Sequence, residues 1–303
     1  MRWWTLTTTL FGATAFLAQA APQDKVAAKP GGDDGKQLTF SVRGTHKGKP
    51  IPKDEIKIKP YTFSRSRPGG GLQVWPDDEE VKTSRHKKVK RANPTANSAN
   101  WCGSVQTTPS THQVEVVHAY YQQPSCTLRS GVTTYPQAVA PWVGIDGDSS
   151  TASLLQSGTV CYINNSTGVS SHEAWWQWVP AAAYTITSLT VSPGDWIEVT
   201  INTTSATSGE ITITNLNTAT AYYVSINSGP SLARVNADWV VERPYYGSSL
   251  SGFPEFSDVW FDDCYATRTS GGALGILGAK QYQIPGLCAS QEYDNQSQVS
   301  WSL

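Results

Sequence analysis

Positive charge is what this 303-residue sequence runs short of, and it does so over most of its length. Beyond residue 91 there are five Lys and Arg (Arg129, Arg234, Arg243, Arg268 and Lys280) against 15 Asp and Glu, a net of −10. A stretch so acidic cannot grip nucleic acid through its phosphates. It also lacks any apolar run of about 18 residues, so no membrane span is expected there. Helical periodicity is nearly absent. Histidine is scarce, with His112, His118 and His172 alone after residue 91, so neither a zinc site nor a Ser-His pair has support. Common hydrolase signatures are missing. There is no Gly-x-Ser-x-Gly, His172-Glu173 lacks the second His of a zinc-protease helix, and no Asp-Thr/Ser-Gly triplet offers a pepsin-like carboxylate pair. Phosphate loops and dinucleotide fingerprints are absent too, and neither metal nor cofactor is expected.

The positive charge lies upstream. Residues 21–91 hold 17 Lys and Arg against 9 Asp and Glu, a net of +8. Ahead of them, residues 1–20 have the form of a secretory signal: Arg2, a short apolar-leaning stretch from Thr5 to Leu17, and the small-x-small cleavage pattern Ala18-Gln19-Ala20. Residues 21–91 read as a pro-segment, rich in Gly and Pro and too charged to bury much core alone. They end in the paired basic residues Lys90-Arg91. The expected organisation is a signal peptide (1–20), a basic pro-segment (21–91) and a mature domain (92–303), giving a secreted, extracellular protein. All five cysteines (Cys102, Cys126, Cys161, Cys264, Cys288) fall in the mature part. Two disulfides and one spare thiol are expected, with the pairing open. Asn164, Asn165, Asn202 and Asn295 head glycosylation sequons and predict surface positions.

The mature part reads as a single all-β domain. Short runs rich in Thr, Val, Ile, Tyr and Trp recur at Gln113–Tyr121, Ala140–Ile145, Ala152–Gln156, Glu173–Val179, Trp196–Asn202, Glu210–Thr214, Ala221–Ile226 and Asp238–Glu242. Turn chemistry separates them, as in Ser192-Pro193-Gly194-Asp195. Alternation places Glu173, Trp175 and Gln177 on one face and Ala174, Trp176 and Trp178 on the other, which looks like core. Trp142 and Asp146 share a face, as do Asp238, Val240 and Glu242. Gln156 ends an apolar strand face, where a solvated residue is commoner than a functional one.

Four segments carry a resemblance: Asn100-Trp101-Cys102-Gly103, Trp142-Val143-Gly144-Ile145-Asp146-Gly147-Asp148, Leu154-Leu155-Gln156-Ser157-Gly158 and Ala237-Asp238-Trp239-Val240-Val241-Glu242-Arg243-Pro244. With the Trp-rich strand Glu173–Pro180 between them, the mature region resembles the glutamic peptidases (eqolisins, peptidase family G1), acid endopeptidases secreted by fungi. The resemblance implies a concanavalin-like sandwich of two bent antiparallel sheets, with one concave face as the substrate groove. It also implies a monomer acting on polypeptides with Gln156 and Glu242 as catalytic pair, and Trp142, Asp146, Glu173, Trp175 and Gln177 contacting substrate. Glu242 would take a proton from the attacking water and return it to the leaving amine. Gln156 would hold that water and stabilise the oxyanion. Two positions depart from the family pattern. Cys102 stands where a small residue is usual, as a disulfide end would, and Gln177 stands where many members carry Glu.

Two other classes compete. A glycoside hydrolase could use Glu173 and Glu242 as its two carboxylates, and a lectin-like module could stack sugars on the Trp face. The pro-segment favours the protease, because latency protects the secreting cell. The +8 segment is expected to inhibit the −10 domain near neutral pH and to loosen in acid.

Overall fold

The computed structural model describes residues 26–27, 38–63, 93–148, 153–293 and 296–300. The signal-like residues 1–20, the Lys90-Arg91 pair and the Asn295 sequon lie outside them. Sixteen strands carry the argument: β1 (Thr39–His46), β2 (Ile58–Pro60), β3 (Trp101–Thr107), β4 (Val114–Gln122), β5 (Gln137–Asp146), β6 (Leu154–Ile163), β7 (Ser170–Val179), β8 (Tyr184–Ile186), β9 (Trp196–Thr203), β10 (Gly209–Asn215), β11 (Thr220–Ile226), β12 (Asn236–Glu242), β13 (Val259–Arg268), β14 (Lys280–Gln283), β15 (Ala289–Tyr293) and β16 (Gln296–Ser300). One sheet runs β1-β11-β10-β9-β4-β13-β16-β15 and the other β2-β8-β7-β6-β5-β12-β3-β14. All of these neighbours pair antiparallel.

Residue pattern distinguishes the two sheets. In β9 and β10 buried and half-buried residues alternate, because one face packs inward and the other meets solvent. In β5 and β12 every residue is buried, so both faces of that sheet are covered. Its inner face packs against the other sheet in a core that includes Val143, Ile145, Trp176, Trp178, Trp239, Ile201 and Ile213. Its outer, concave face carries a second apolar cluster built on Trp101, Trp142, Trp175, Val240 and Tyr282. Ala174, Trp176 and Trp178 thus face the core, as alternation requires.

All eight strands read from the sequence are present; β5 and β7 each start three residues earlier than read, and the largest displacement is in β6. The run ending at Gln156 continues through Gly158 to Ile163, so Gln156 lies near the start of β6 and not at its end. Gly158 does not break the strand. A Cβ there would come within 2.1 Å of the Pro141 carbonyl oxygen and 2.7 Å of Trp142 Cα. Glycine lets neighbouring β5 approach that closely. Among the described residues the cysteines form Cys102–Cys288 and Cys126–Cys161, leaving Cys264 as a buried thiol. The bridges close loops of 186 and 35 residues. In the chain-entropy picture they are worth about 5 and about 4 kcal/mol. Asn164, Asn165 and Asn202 are exposed.

Residues 38–63 do not stand apart. β1 joins the edge of one sheet through β11, and β2 joins the edge of the other through β8. Leu38, Phe40, Tyr61 and Phe63 are buried. Phe40 meets Trp176 edge-on with ring centroids 4.9 Å apart.

Candidate active site

Strand register sets three lateral rows of side chains on the concave face. The first runs Gln177, Gln156, Gly144, Asp238, Val105, Lys280. The second runs Trp175, Gly158, Trp142, Val240, Gly103, Tyr282. The third contains Glu173 opposite Val160, and Glu242 between Ala140 and Trp101. Gln156 and Glu242 therefore share a face, two strands and two rows apart, with Trp142 between them.

Glu242 is 3% exposed. Its carboxylate accepts from Trp142 Nε1 at 2.9 Å and from Asn100 Nδ2 at 3.0 Å. Asn100 is itself held by Ser98, whose hydroxyl donates to Asn100 Oδ1 at 3.2 Å. Two N–H donors, Trp142 on β5 and Asn100 just before β3, thus fix the carboxylate in one orientation. Asn100 was not singled out from the sequence, although it opens one of the four motif segments. Trp142, read as a substrate-contacting residue, holds Glu242.

Gln156 is 1% exposed. Its Nε2 donates to Gln177 Oε1 at 3.2 Å, and Gln177 Nε2 donates to the Ala181 carbonyl at 2.9 Å. This relay sets which end of each amide points where. Gln156 Oε1 is buried with no hydrogen-bond partner among the described residues. Glu173 accepts from Lys59 Nζ at 2.7 Å, Tyr162 Oη at 3.2 Å and Thr185 Oγ1 at 3.2 Å. It is committed to those groups at the far end of Glu242's row.

Asp146, a substrate contact by the resemblance, is engaged with backbone amides of the segment leading into β12. Its φ of +70° turns the backbone at the end of β5. The buried carboxylate accepts the backbone N–H groups of Arg234 (2.8 Å), Val235 (2.8 Å) and Asn236 (3.3 Å). Burial raises its pKa and these amides oppose the rise. The residue ties down the entry to β12, four residues before the face shared by Asp238 and Glu242. Asp238 is fully buried, and both carboxylate oxygens lack a hydrogen-bond partner among the described residues. Burial pushes its pKa well above the ordinary range, and Asp148 and Asp146 add to the shift.

The chain's own N-terminal segment covers this face. Tyr61 stacks on Trp175 with centroids 5.1 Å apart and planes 9° apart. Burial, then the nearby charge of Glu242, push the Tyr61 phenol well above its ordinary pKa. Phe63 packs beside Tyr162 and Tyr246, at 5.0 and 5.9 Å between centroids.

The Peptidase A4 family matches residues 99–302. The chain belongs to the peptidase A4 family. Aspergillopepsin-2 of Aspergillus niger is 33% identical over 205 residues, 62% of this chain and 71% of that one. Scytalidopepsin B of Scytalidium lignicola is 32% identical over 213 residues, covering 67% and 76%. Among solved structures, a scytalido-glutamic peptidase bound to a transition-state analogue inhibitor superposes with a TM-score of 0.59 and 27% identity, over 67% of this chain and 98% of that one. An eqolisin bound to the tripeptide Ala-Ile-His gives 0.55 and 29% over the same shares. As a peptidase A4 member with these neighbours, the chain is a glutamic endopeptidase with the eqolisin sandwich. Among the described residues no helix is long and apolar enough to cross a membrane.

Proposed function

We propose that the chain is secreted as a zymogen and that, once residues 1–91 are removed, residues 92–303 act as an acid endopeptidase through Glu242 and Gln156. The observation that carries this reading is the shared face on which Glu242 is oriented by Trp142 and Asn100, while Gln156 is oriented by Gln177. A peptide carbonyl laid over Trp142 has one catalytic group on each side. Glu242 takes a proton from the attacking water, and Gln156 Oε1 holds that water in line. The remaining Gln156 N–H stabilises the oxyanion, and Glu242 then protonates the leaving amine. Pairing a carboxylate with an amide avoids the like-charge repulsion that raises one pKa when two carboxylates share a site. Asp146 acts at one remove, by positioning β12.

The zymogen reading rests on Tyr61, Phe63 and the Lys59–Glu173 ion pair, which occupy the groove face. Lys90-Arg91 supplies the cleavage site, so secreted protein should begin at Ala92. In the mature domain Glu173 still accepts from Tyr162 and Thr185 at the far end of the row from Glu242, which does not favour a two-carboxylate glycosidase.

Two variants test the chemistry. Gln156→Ala and Glu242→Gln should each lower kcat on denatured casein at about pH 3 by at least about 100-fold, the loss typical of a missing oxyanion donor. Normal turnover by Gln156→Ala rules out the amide role. N-terminal sequencing of the secreted protein tests the Ala92 boundary.

A further inference from the structure

Beside the covered groove lies a cavity of about 430 Å³, bounded by Thr62, Phe63, Tyr135, Pro136, Tyr162, Asn164 and Tyr246. That is large enough for a side chain and more. Its walls come from both sides of the active face. Tyr162 lies on β6, two residues beyond Val160, in a fourth row past that of Glu242. Tyr246 lies four residues after Glu242, in the hairpin pairing Tyr245 and Tyr246 with Leu250 and Ser249. That hairpin is anchored where Arg243 Nε donates to the Ser251 carbonyl at 2.6 Å. The Tyr162 hydroxyl donates to Glu173 at 3.2 Å, which fixes its ring as a wall.

The chain's own segment crosses these features, with a bend at Thr62 between Tyr61 and Phe63. Tyr61 covers Trp175 in the second row. Phe63, two residues on, lies at Tyr162 and forms an antiparallel bridge with Tyr246. Both tyrosine rings are tilted to the Phe63 ring, at 55° and 56°, an arrangement that aromatic pairs favour through their quadrupoles.

We infer that the Tyr135/Tyr162/Tyr246 cavity is a side-chain subsite for an aromatic residue of the peptide substrate, two positions along from the residue seated on Trp175, and that Phe63 occupies its inner wall in the zymogen. The inference rests on the peptidase reading above and adds a substrate class to it. Substrates spaced aromatic-x-aromatic fill both positions at once. Contact with two tilted rings corresponds to roughly a 10-fold preference over alanine. It falls on KM, because the contact is the same in ground and transition states.

The test uses the full chain carrying Tyr61→Ala and Phe63→Ala, which takes the chain's own rings out of both positions whether or not the segment is cleaved. Peptides have one fixed aromatic residue, with Phe, Leu or Ala two places away. Cleavage is followed by mass spectrometry, and binding to the same protein with Glu242→Gln by tryptophan fluorescence. Phe is expected to lower KM about 10-fold relative to Ala, with Leu between them. Adding Tyr246→Ala, at a residue 46% exposed and so safe for folding, should cut the preference to under about 2-fold. Cleavage with equal KM for Phe and Ala overturns the subsite, as does a preference that survives Tyr246→Ala. A Phe-over-Ala gap in binding without cleavage of any peptide upholds the subsite and overturns the peptidase reading.

Discussion

At Gln177 one side chain both accepts from Gln156 Nε2 and donates to the Ala181 carbonyl. A glutamate can do both only while protonated, so glutamine holds the protonated pattern at every pH. Gln177→Glu should leave turnover near normal in strong acid and depress it as pH rises, because the ionised carboxylate would face the Ala181 oxygen. The measurement is kcat against pH, and coincident profiles for the two proteins remove Gln177 from the positioning of Gln156. Asp238 presents the opposite case, a titrating group whose burial favours its neutral form. Its folded pKa lies above the unfolded value near 4, so above about pH 4 the unfolded chain binds fewer protons than the folded one. Stability then falls as pH rises toward the folded pKa, by up to about 1.4 kcal/mol per pH unit for this one group. Asp238→Asn removes that slope. Its Tm should decline less than the parent's between about pH 4 and pH 7, whereas parallel curves place the loss elsewhere.

Strands were legible in the sequence where a single rule governed them. β9, β10 and β11 alternate because one face is solvated, and β5 and β12 read as apolar runs because both faces are covered. β13 escaped notice because two register shifts, between Asp262 and Tyr265 and between Thr267 and Arg268, break its period against β4. β1 and β2 escaped because their residues belong to a segment whose charge resembles that of an unstructured linker, and their edges are completed by β11 and β8. Gln156 and Glu242 were reached through motif resemblance, while periodicity supplied only the face they share. Periodicity put Asp146 on the face of Trp142 but could not show the backbone amides that hold its carboxylate. Its role belongs to β12 as an element. Asp146→Asn puts an amide N–H in place of an acceptor facing a backbone N–H. Urea unfolding should show a loss of about 1–3 kcal/mol. kcat should fall with it, as the strand carrying Glu242 loses its anchor. Full stability in the variant removes the tie between residues 234–236 and β12.

Across the whole molecule, charge and apolar contact hold the N-terminal segment by separable means. The domain after residue 91 has five Lys and Arg and three His, so full protonation of its carboxylates leaves little self-repulsion to drive acid unfolding. Acid can therefore act on the attachment of the segment while the domain stays folded. Arg43–Glu210 and Lys59–Glu173 each need an ionised carboxylate. The Arg43–Glu210 pair is exposed and contributes little, whereas Lys59 meets a largely buried Glu173 on the groove face. The packing of Phe40, Tyr61 and Phe63 does not titrate in acid. Latency should therefore have a component that acid and salt remove and another that they leave. A full chain with Lys90→Ala and Arg91→Ala to block cleavage separates the two. Its activity should be low at about pH 6 and rise at about pH 3. Adding Lys59→Met should raise the pH 6 activity several-fold and flatten the pH dependence, while Tyr61→Ala should raise activity at both. Equal latency at the two pH values eliminates the charged component, and no gain from Tyr61→Ala eliminates the aromatic one.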